Sequence, residues 1–178
     1  MRILIMLGTI CCLLVTPIAS AQPIKHQITG LFMPERERDL REVCDKLADI
    51  KLVSINYKNA EATFDYVPAK LFPKQTPEQI VQKLDNLLRS ASNSTFGVKP
   101  RCALPADKLT FVEIPAGGLD CKACCLTAYE AIYKIDGVER ATANFRDGKI
   151  NAWIDSRKTD RPTLETALKN RGVTIGKR

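Results

Sequence analysis

An internal repeat is the sequence feature that most restricts how this chain can fold. At an offset of 88 residues, which separates Gly30 from Gly118, the chain aligns with itself without a gap. The coincident residues are Gly30-Leu31 with Gly118-Leu119, Glu42 with Glu130, Lys46 with Lys134 and Asn56 with Asn144. This sequence repeat predicts that the chain folds into two copies of one small domain.

Apolar residues follow the same offset and alternate with polar ones, which is typical of half-buried strands. The matched triplets are Val53, Ile55 and Tyr57 with Ala141, Ala143 and Phe145, and Ala62, Phe64 and Tyr66 with Ile150, Ala152 and Ile154. Further on, Ile80 and Leu84 match Leu164 and Leu168 at an offset of 84. The shorter offset places about four extra residues in a Pro-rich loop at 67–77 of the first copy.

The second copy shows the order of elements most clearly. The pattern predicts a strand at 109–115, a helix at 122–135, two strands joined at Asp147-Gly148, a helix at 163–171 and a last strand from 173. This order is that of an α+β ferredoxin-like βαββαβ unit, with an antiparallel sheet and helices on one face. The sequence therefore predicts two tandem domains, at 22–100 and 109–178, joined by a linker at 101–108.

The first 21 residues have the pattern of a secretory signal peptide. Met1 and Arg2 precede an apolar run at 3–15, which is followed by Pro17 and the small residues Ala19-Ser20-Ala21. The run is too short to span a bilayer, and no later segment is apolar enough to do so. We therefore expect an exported protein, periplasmic or secreted, that is cleaved near Ala21 and has no membrane span. Cys11 and Cys12 would leave with the signal peptide.

The charged residues argue against nucleic acid as a partner. The chain has 27 Lys and Arg against 20 Asp and Glu, a formal net charge of +7, but the basic residues are scattered among the acids. The chain also has one histidine, His26, in the first predicted strand, where a surface or packing role is expected. No Ser/His, Cys/His or paired-carboxylate arrangement can be assembled, so the sequence predicts no catalytic residues and no enzyme.

Five cysteines follow the signal peptide, and an odd number in an oxidising compartment argues against a purely structural disulfide framework. They are Cys44, Cys102, Cys121, Cys124 and Cys125. Cys121 and Cys124 lie at the predicted start of the first helix of the second copy. A helix N-terminus stabilises thiolate, which is the form of cysteine that binds metals. We therefore predict that these two sulfurs converge on a metal ion.

The segment Gly118-Leu119-Asp120-Cys121-Lys122-Ala123-Cys124 resembles the metal loop of the heavy-metal-associated (HMA) domain family, which reads Gly-Met-x-Cys-x-x-Cys. Leu119 stands for the usual methionine, and Gly137-Val138 after the helix also fits the family. The resemblance covers about residues 109–176 well and 24–100 more weakly. It implies metal binding and handover, with another metal-handling protein as a partner.

The first copy keeps this loop and loses both cysteines, because Met33 stands at the position of Cys121 and Arg36 at that of Cys124. One thioether beside a guanidinium is not a metal site. The first copy is therefore interpreted as degenerate, with a structural or partner-binding role.

Two thiolates without a nearby histidine or carboxylate cluster favour a soft ion, Cu(I) first and Hg(II) similarly. Zn(II) is less favoured because structural zinc takes four ligands, and this copy offers three cysteines at most. Lys122 is either a charge that offsets a bis-thiolate or an ordinary exposed lysine. The alternatives are a disulfide between Cys121 and Cys124, a redox pair, and a non-metal interaction or structural module.

The remaining cysteines have other expected roles. Cys125 is turned about 100° from Cys124 on the helix, so a packed or partly exposed thiol is expected rather than a third ligand. Cys44 aligns with Ile132 on the inner helix face and is predicted to lie in the core. Cys102, in the linker, is the candidate for an intermolecular disulfide or for one to Cys125.

Overall fold

The computed structural model describes residues 22–100 and 104–176. The predicted signal peptide with Cys11 and Cys12, and Cys102 in the linker, lie outside the described residues. The N-terminal unit consists of β1 (Gln22–Thr29), α1 (Arg36–Cys44), β2 (Lys51–Asn56), β3 (Glu61–Tyr66), α2 (Pro68–Leu71), α3 (Pro77–Ala91) and β4 (Gly97–Lys99). A short 3₁₀ helix at Tyr57–Asn59 joins β2 to β3.

The C-terminal unit has the same order of elements without a counterpart of α2. It consists of β5 (Thr110–Gly117), α4 (Lys122–Tyr133), β6 (Val138–Asn144), β7 (Lys149–Ile154), α5 (Arg161–Lys169) and β8 (Thr174–Ile175). A 3₁₀ helix at Ala106–Lys108 precedes β5. Among the described residues, no helix is long and apolar enough to cross a membrane.

Each unit is built on its own four-stranded antiparallel sheet. The strand orders are β2-β3-β1-β4 and β6-β7-β5-β8, which are equivalent when the two units are aligned. With two main helices packed on each sheet, this is the α+β arrangement of two tandem ferredoxin-like units, and the predicted fold class is confirmed. The domain limits at 22–100 and 109–178 stay a prediction.

The backbone follows the 88-residue offset closely. Gly30 and Gly118 both adopt positive φ, at 90° and 80°, directly after the first strand of each unit. Glycine adopts this conformation without the steric penalty that other residues meet. Ala60 and Gly148 are a second such pair, with φ of 50° and 57° before β3 and β7. The extra residues predicted at 67–77 of the first copy contain α2.

Three helices, α3, α4 and α5, begin at residues whose side chains accept hydrogen bonds from free backbone N–H groups. Thr76 and Gln79 form a reciprocal capping box at the start of α3, and Asp160 accepts a 3.0 Å hydrogen bond from the backbone N–H of Thr163 at the start of α5. Cys121 takes the capping position of α4. Its sulfur accepts the hydrogen bond that a hydroxyl or carboxylate oxygen usually accepts at this position.

Each sheet and its helices enclose an apolar core. Leu40, Phe64, Leu84 and Leu88 lie in the N-terminal core. Cys44 is buried among them, as predicted, and burial raises the pKa of its thiol to about 12, so it stays neutral. The C-terminal core is formed by Ile114, Ala128, Ile132, Ile150, Ala152, Ile154, Leu164 and Leu168 with their neighbours.

One detail of the predicted strand pattern is wrong. Val53 and Phe145, read as half-buried strand residues, are 49% and 42% exposed. A bulge between Leu52 and Ser54 changes the side of the sheet that Val53 faces, whereas the bulge of β6 lies earlier, between Val138 and Arg140. Phe145 falls in the turn after β6. The two units therefore share a topology but differ in local register.

The two units are packed against each other through the loop that follows β1. Phe32 and Met33 are each 1% exposed and belong to the apolar cluster of the C-terminal unit. Tyr129 of α4 accepts a 2.9 Å hydrogen bond from the backbone N–H of Gly30, and the Phe32 carbonyl accepts one of 3.0 Å from the N–H of Ala143. The N-terminal unit thus completes the core of its neighbour.

Candidate metal centre

The chain reaches the cysteine pair through a short turn fixed at both ends. β5 ends at Gly117, and Gly118 turns the backbone through positive φ. Leu119 is buried and anchors the turn in the C-terminal core. The next residues, Asp120 and Cys121, are exposed, and α4 then begins at Lys122. The turn presents the cysteines at one end of the unit.

Cys121 and Cys124 lie together at the start of α4, in the disulfide that the sequence left open as an alternative to a metal-binding pair. Their Cα atoms are 5.1 Å apart and their sulfurs are joined in a disulfide. The Sγ of Cys121 also accepts a 3.1 Å hydrogen bond from the backbone N–H of Cys124, in the first turn of α4. Cys121 is exposed, whereas Cys124 is partly buried. Reduction of this pair would give two soft donors close together beside the positive end of a helix dipole, which suits a soft cation.

Cys125 and His26, which the sequence did not favour as ligands, do not join the pair. Cys125 is fully buried, and its Sγ lies 3.8 Å from the carbonyl oxygen of Leu119, so it is a packed thiol. His26 is buried in the N-terminal unit, 3.0 Å from the hydroxyl of Tyr66. Within the described ranges, no group of three or more His, Cys, Asp or Glu residues is arranged to hold a metal ion.

The loop of the N-terminal unit that lacks the cysteines has a clear structural role. Met33 is buried between the units, and Arg36, the residue aligned with Cys124, is buried with its guanidinium 4.4 Å from the centre of the Phe96 ring. Its Nε donates a 3.4 Å hydrogen bond to the carbonyl of Gly30. The partner of this loop is the C-terminal unit of the same chain.

The charge of Lys122 beside the cysteines was considered from the sequence, but its partner Asp39 was not predicted. The ammonium of Lys122 lies 2.6 Å from Oδ2 of Asp39, which belongs to α1 of the other unit. The same carboxylate pairs with Arg36. Asp39 was missed because it aligns with no residue of the metal loop. The unusually apolar run Leu31-Phe32-Met33 could have indicated that this loop is buried against another part of the protein.

Asp39 makes the packing of the two units sensitive to acid. Partial burial would raise the pKa of its carboxyl group, but the hydrogen bond from Lys122 and the charges of Arg36 and Lys122 outweigh it and hold the pKa below its ordinary value. Arg38, 3.9 Å away, is the other charged neighbour. Because the folded-state pKa is lowered, this contribution is complete above the unfolded pKa and is lost as pH falls through the folded one.

We therefore expect Asp39→Asn to lower the free energy of unfolding by about 3 kcal/mol near neutral pH, because the buried guanidinium of Arg36 loses its charged partner. The difference from the unchanged protein should shrink below about pH 5 and vanish in stronger acid. Urea unfolding across this pH range measures it. If the difference in free energy of unfolding between the two proteins did not change with pH, the ion pairs assigned to Asp39 would not be its source.

No protein-family model matches the chain, and no curated protein sequence does. Solved structures similar to it include the CopZ metallochaperone, at 22% identity and a TM-score of 0.37, covering 38% of this chain and 100% of that one. Oxidized MerP from Ralstonia metallidurans CH34 has 25% identity and a TM-score of 0.36, covering 39% and 99%. The N-terminal soluble domains of Bacillus subtilis CopA have 14% identity and a TM-score of 0.36, covering 89% and 94%.

Proposed function

We propose that this protein binds a soft metal ion, Cu(I) in the first place, through the thiolates of Cys121 and Cys124. The observation that supports it is the convergence of these two sulfurs at the exposed N-terminus of α4. The helix dipole and the backbone N–H of Cys124 both stabilise negative charge at this point.

Binding requires the disulfide to be opened. A small thiol reductant would supply two electrons and two protons to the disulfide and would itself be oxidised to a disulfide. Cu(I) would then displace one proton from each thiol and form two copper–sulfur bonds, which leaves a complex of net charge −1. Hg(II) suits the same soft pair, whereas structural Zn(II) normally takes four ligands.

The position of the pair favours exchange of the ion with another protein. Cys121 is exposed, so a thiolate from a partner can approach the metal before either of the original bonds breaks. We infer that a metal-handling protein is the partner and that the site serves transfer or sequestration outside the cytoplasm. The signal peptide predicted for the first 21 residues supports this location.

An anaerobic titration tests the metal site. The full chain, reduced and freed of reductant, is expected to take up one Cu(I) in competition with a Cu(I) chelator, because only one pair of converging cysteines lies in the described residues. The same protein with the disulfide intact is the control and is expected to leave the ion with the chelator.

Equal uptake by the oxidised and reduced forms would place the metal elsewhere. No uptake by the reduced chain would favour the alternative of an interaction module, whose cysteine pair is a structural disulfide. Repeating the titration with Hg(II) and Zn(II) ranks the three ions on one protein.

A further inference from the structure

The positive charge next to the cysteine pair is held by the other unit of the chain. Lys122 directly follows Cys121, and its side chain is half exposed at 50%. Its ammonium lies 2.6 Å from Asp39, whose side chain is 20% exposed. An ion pair between the two units therefore engages the residue that directly follows Cys121.

The acid of this pair is fixed, and the lysine is the mobile member. Asp39 is paired with Arg36, which is buried between the rings of Phe32 and Phe96 and donates to the carbonyl of Gly30. Lys122, by contrast, has a long flexible side chain on the surface. The position of the ammonium thus depends on Asp39 rather than the reverse.

The pairing of Lys122 with Asp39 changes the electrostatic environment of an ion bound to the cysteines. Two thiolates and one monovalent cation carry a net charge of −1, which a nearby ammonium stabilises. Asp39 offsets that ammonium with a carboxylate and draws it towards α1. The complex at the cysteines is consequently stabilised less than it would be by an unpaired Lys122.

We infer that Asp39 is a positioning residue that weakens the hold of the Cys121–Cys124 pair on a soft monovalent cation by engaging Lys122. This inference rests on the proposed function of the cysteine pair. The N-terminal unit thereby favours an ion that can be passed on over one that is permanently sequestered, and this is a role for the copy that lost its own cysteines.

A double-mutant cycle on the full chain tests the inference. Asp39→Asn keeps the size of the side chain and removes its charge, so Lys122 is released. In the reduced protein we expect it to tighten Cu(I) binding about two- to fivefold, the range typical of a single exposed ion pair. In a Lys122→Met background the same change is expected to have a much smaller effect, because the charge that it releases is gone.

The matched control is Asp136→Asn. Asp136 also pairs with a lysine, since Nζ of Lys158 lies 3.0 Å from its Oδ1, but it lies beyond the far end of α4. We expect this change to leave Cu(I) affinity unaltered. An effect of Asp39→Asn that persists undiminished without Lys122, or that Asp136→Asn reproduces, would overturn the inference.

A measurement without metal separates this inference from the metal site itself. The equilibrium between the disulfide and the reduced pair can be measured against a small dithiol. Asp39→Asn should shift this equilibrium towards the reduced pair, and the shift should be much smaller in the Lys122→Met background. If no variant binds Cu(I), the proposed function fails while this equilibrium still decides the role of Asp39.

Should Asp39→Asn unfold the chain, Arg36→Met with Asp39→Asn removes both charges of the buried pair and releases Lys122 equally.

Discussion

Replacing Cys121 or Cys124 by serine is expected to weaken Cu(I) binding by more than about a hundredfold, since changes outside the ligand shell alone cost 10- to 100-fold. A single thiolate leaves the ion without its second soft donor, and the described residues offer no cluster of ligands to replace it. Competition with a Cu(I) chelator, under nitrogen and on reduced full-length protein, measures the change.

Cys125→Ala is the matched control because it removes the sulfur that neighbours the pair. The thiol of Cys125 is buried towards Leu119, so its loss should leave the affinity for Cu(I) nearly unchanged. If Cys125→Ala weakened binding as much as Cys121→Ser, Cys125 would be a ligand and the two-sulfur site would be wrong.

Phe32→Ala is expected to lower the free energy of unfolding of the C-terminal unit by about 3–5 kcal/mol, although Phe32 belongs to the N-terminal unit. Its ring is buried in the C-terminal core and lies 5.4 Å from the ring of Tyr129. Removing it leaves a cavity in that core. Urea unfolding followed by the fluorescence of Trp153, the single tryptophan of the chain, reports on the C-terminal unit.

The control makes the same substitution at an exposed site. Phe145→Ala removes a ring that is 42% exposed and should cost about 1 kcal/mol or less. If Phe32→Ala cost no more than Phe145→Ala, the two units would be folding independently, and the inference about Asp39 would lose its structural basis.

The fold could be predicted because the same pattern of strands and turns occurs in both copies of the repeat. The 88-residue offset carries both the apolar alternation of the strands and the glycines at the first turn, Gly30 and Gly118, so each copy supports the interpretation of the other. The sequence could not locate the two bulges, because a bulge depends on hydrogen bonding between strands rather than on residue type. That is why the exposure of Val53 was mispredicted.

The site could be predicted only in its local part. Cys121 and Cys124 are one helical turn apart, so their proximity follows from the helix itself. Asp39 lies 83 residues before Lys122, and a contact of that kind depends on how two folded units pack. The apolar loop residues Phe32 and Met33 indicated burial but not the surface that buries them.

The outer strand of the C-terminal sheet is covered by the same packing. Outer strands carry unpaired backbone groups that can recruit strands from other molecules. In β6 the N–H of Ala143 is bonded to the carbonyl of Phe32, and the carbonyl of Val138 accepts a 3.0 Å hydrogen bond from Nζ of Lys99. A chain trimmed to its cysteine-bearing half would therefore expose the edge of β6, which could pair with strands of other molecules and start polymerisation. In the protein with both units, the N-terminal unit covers that edge.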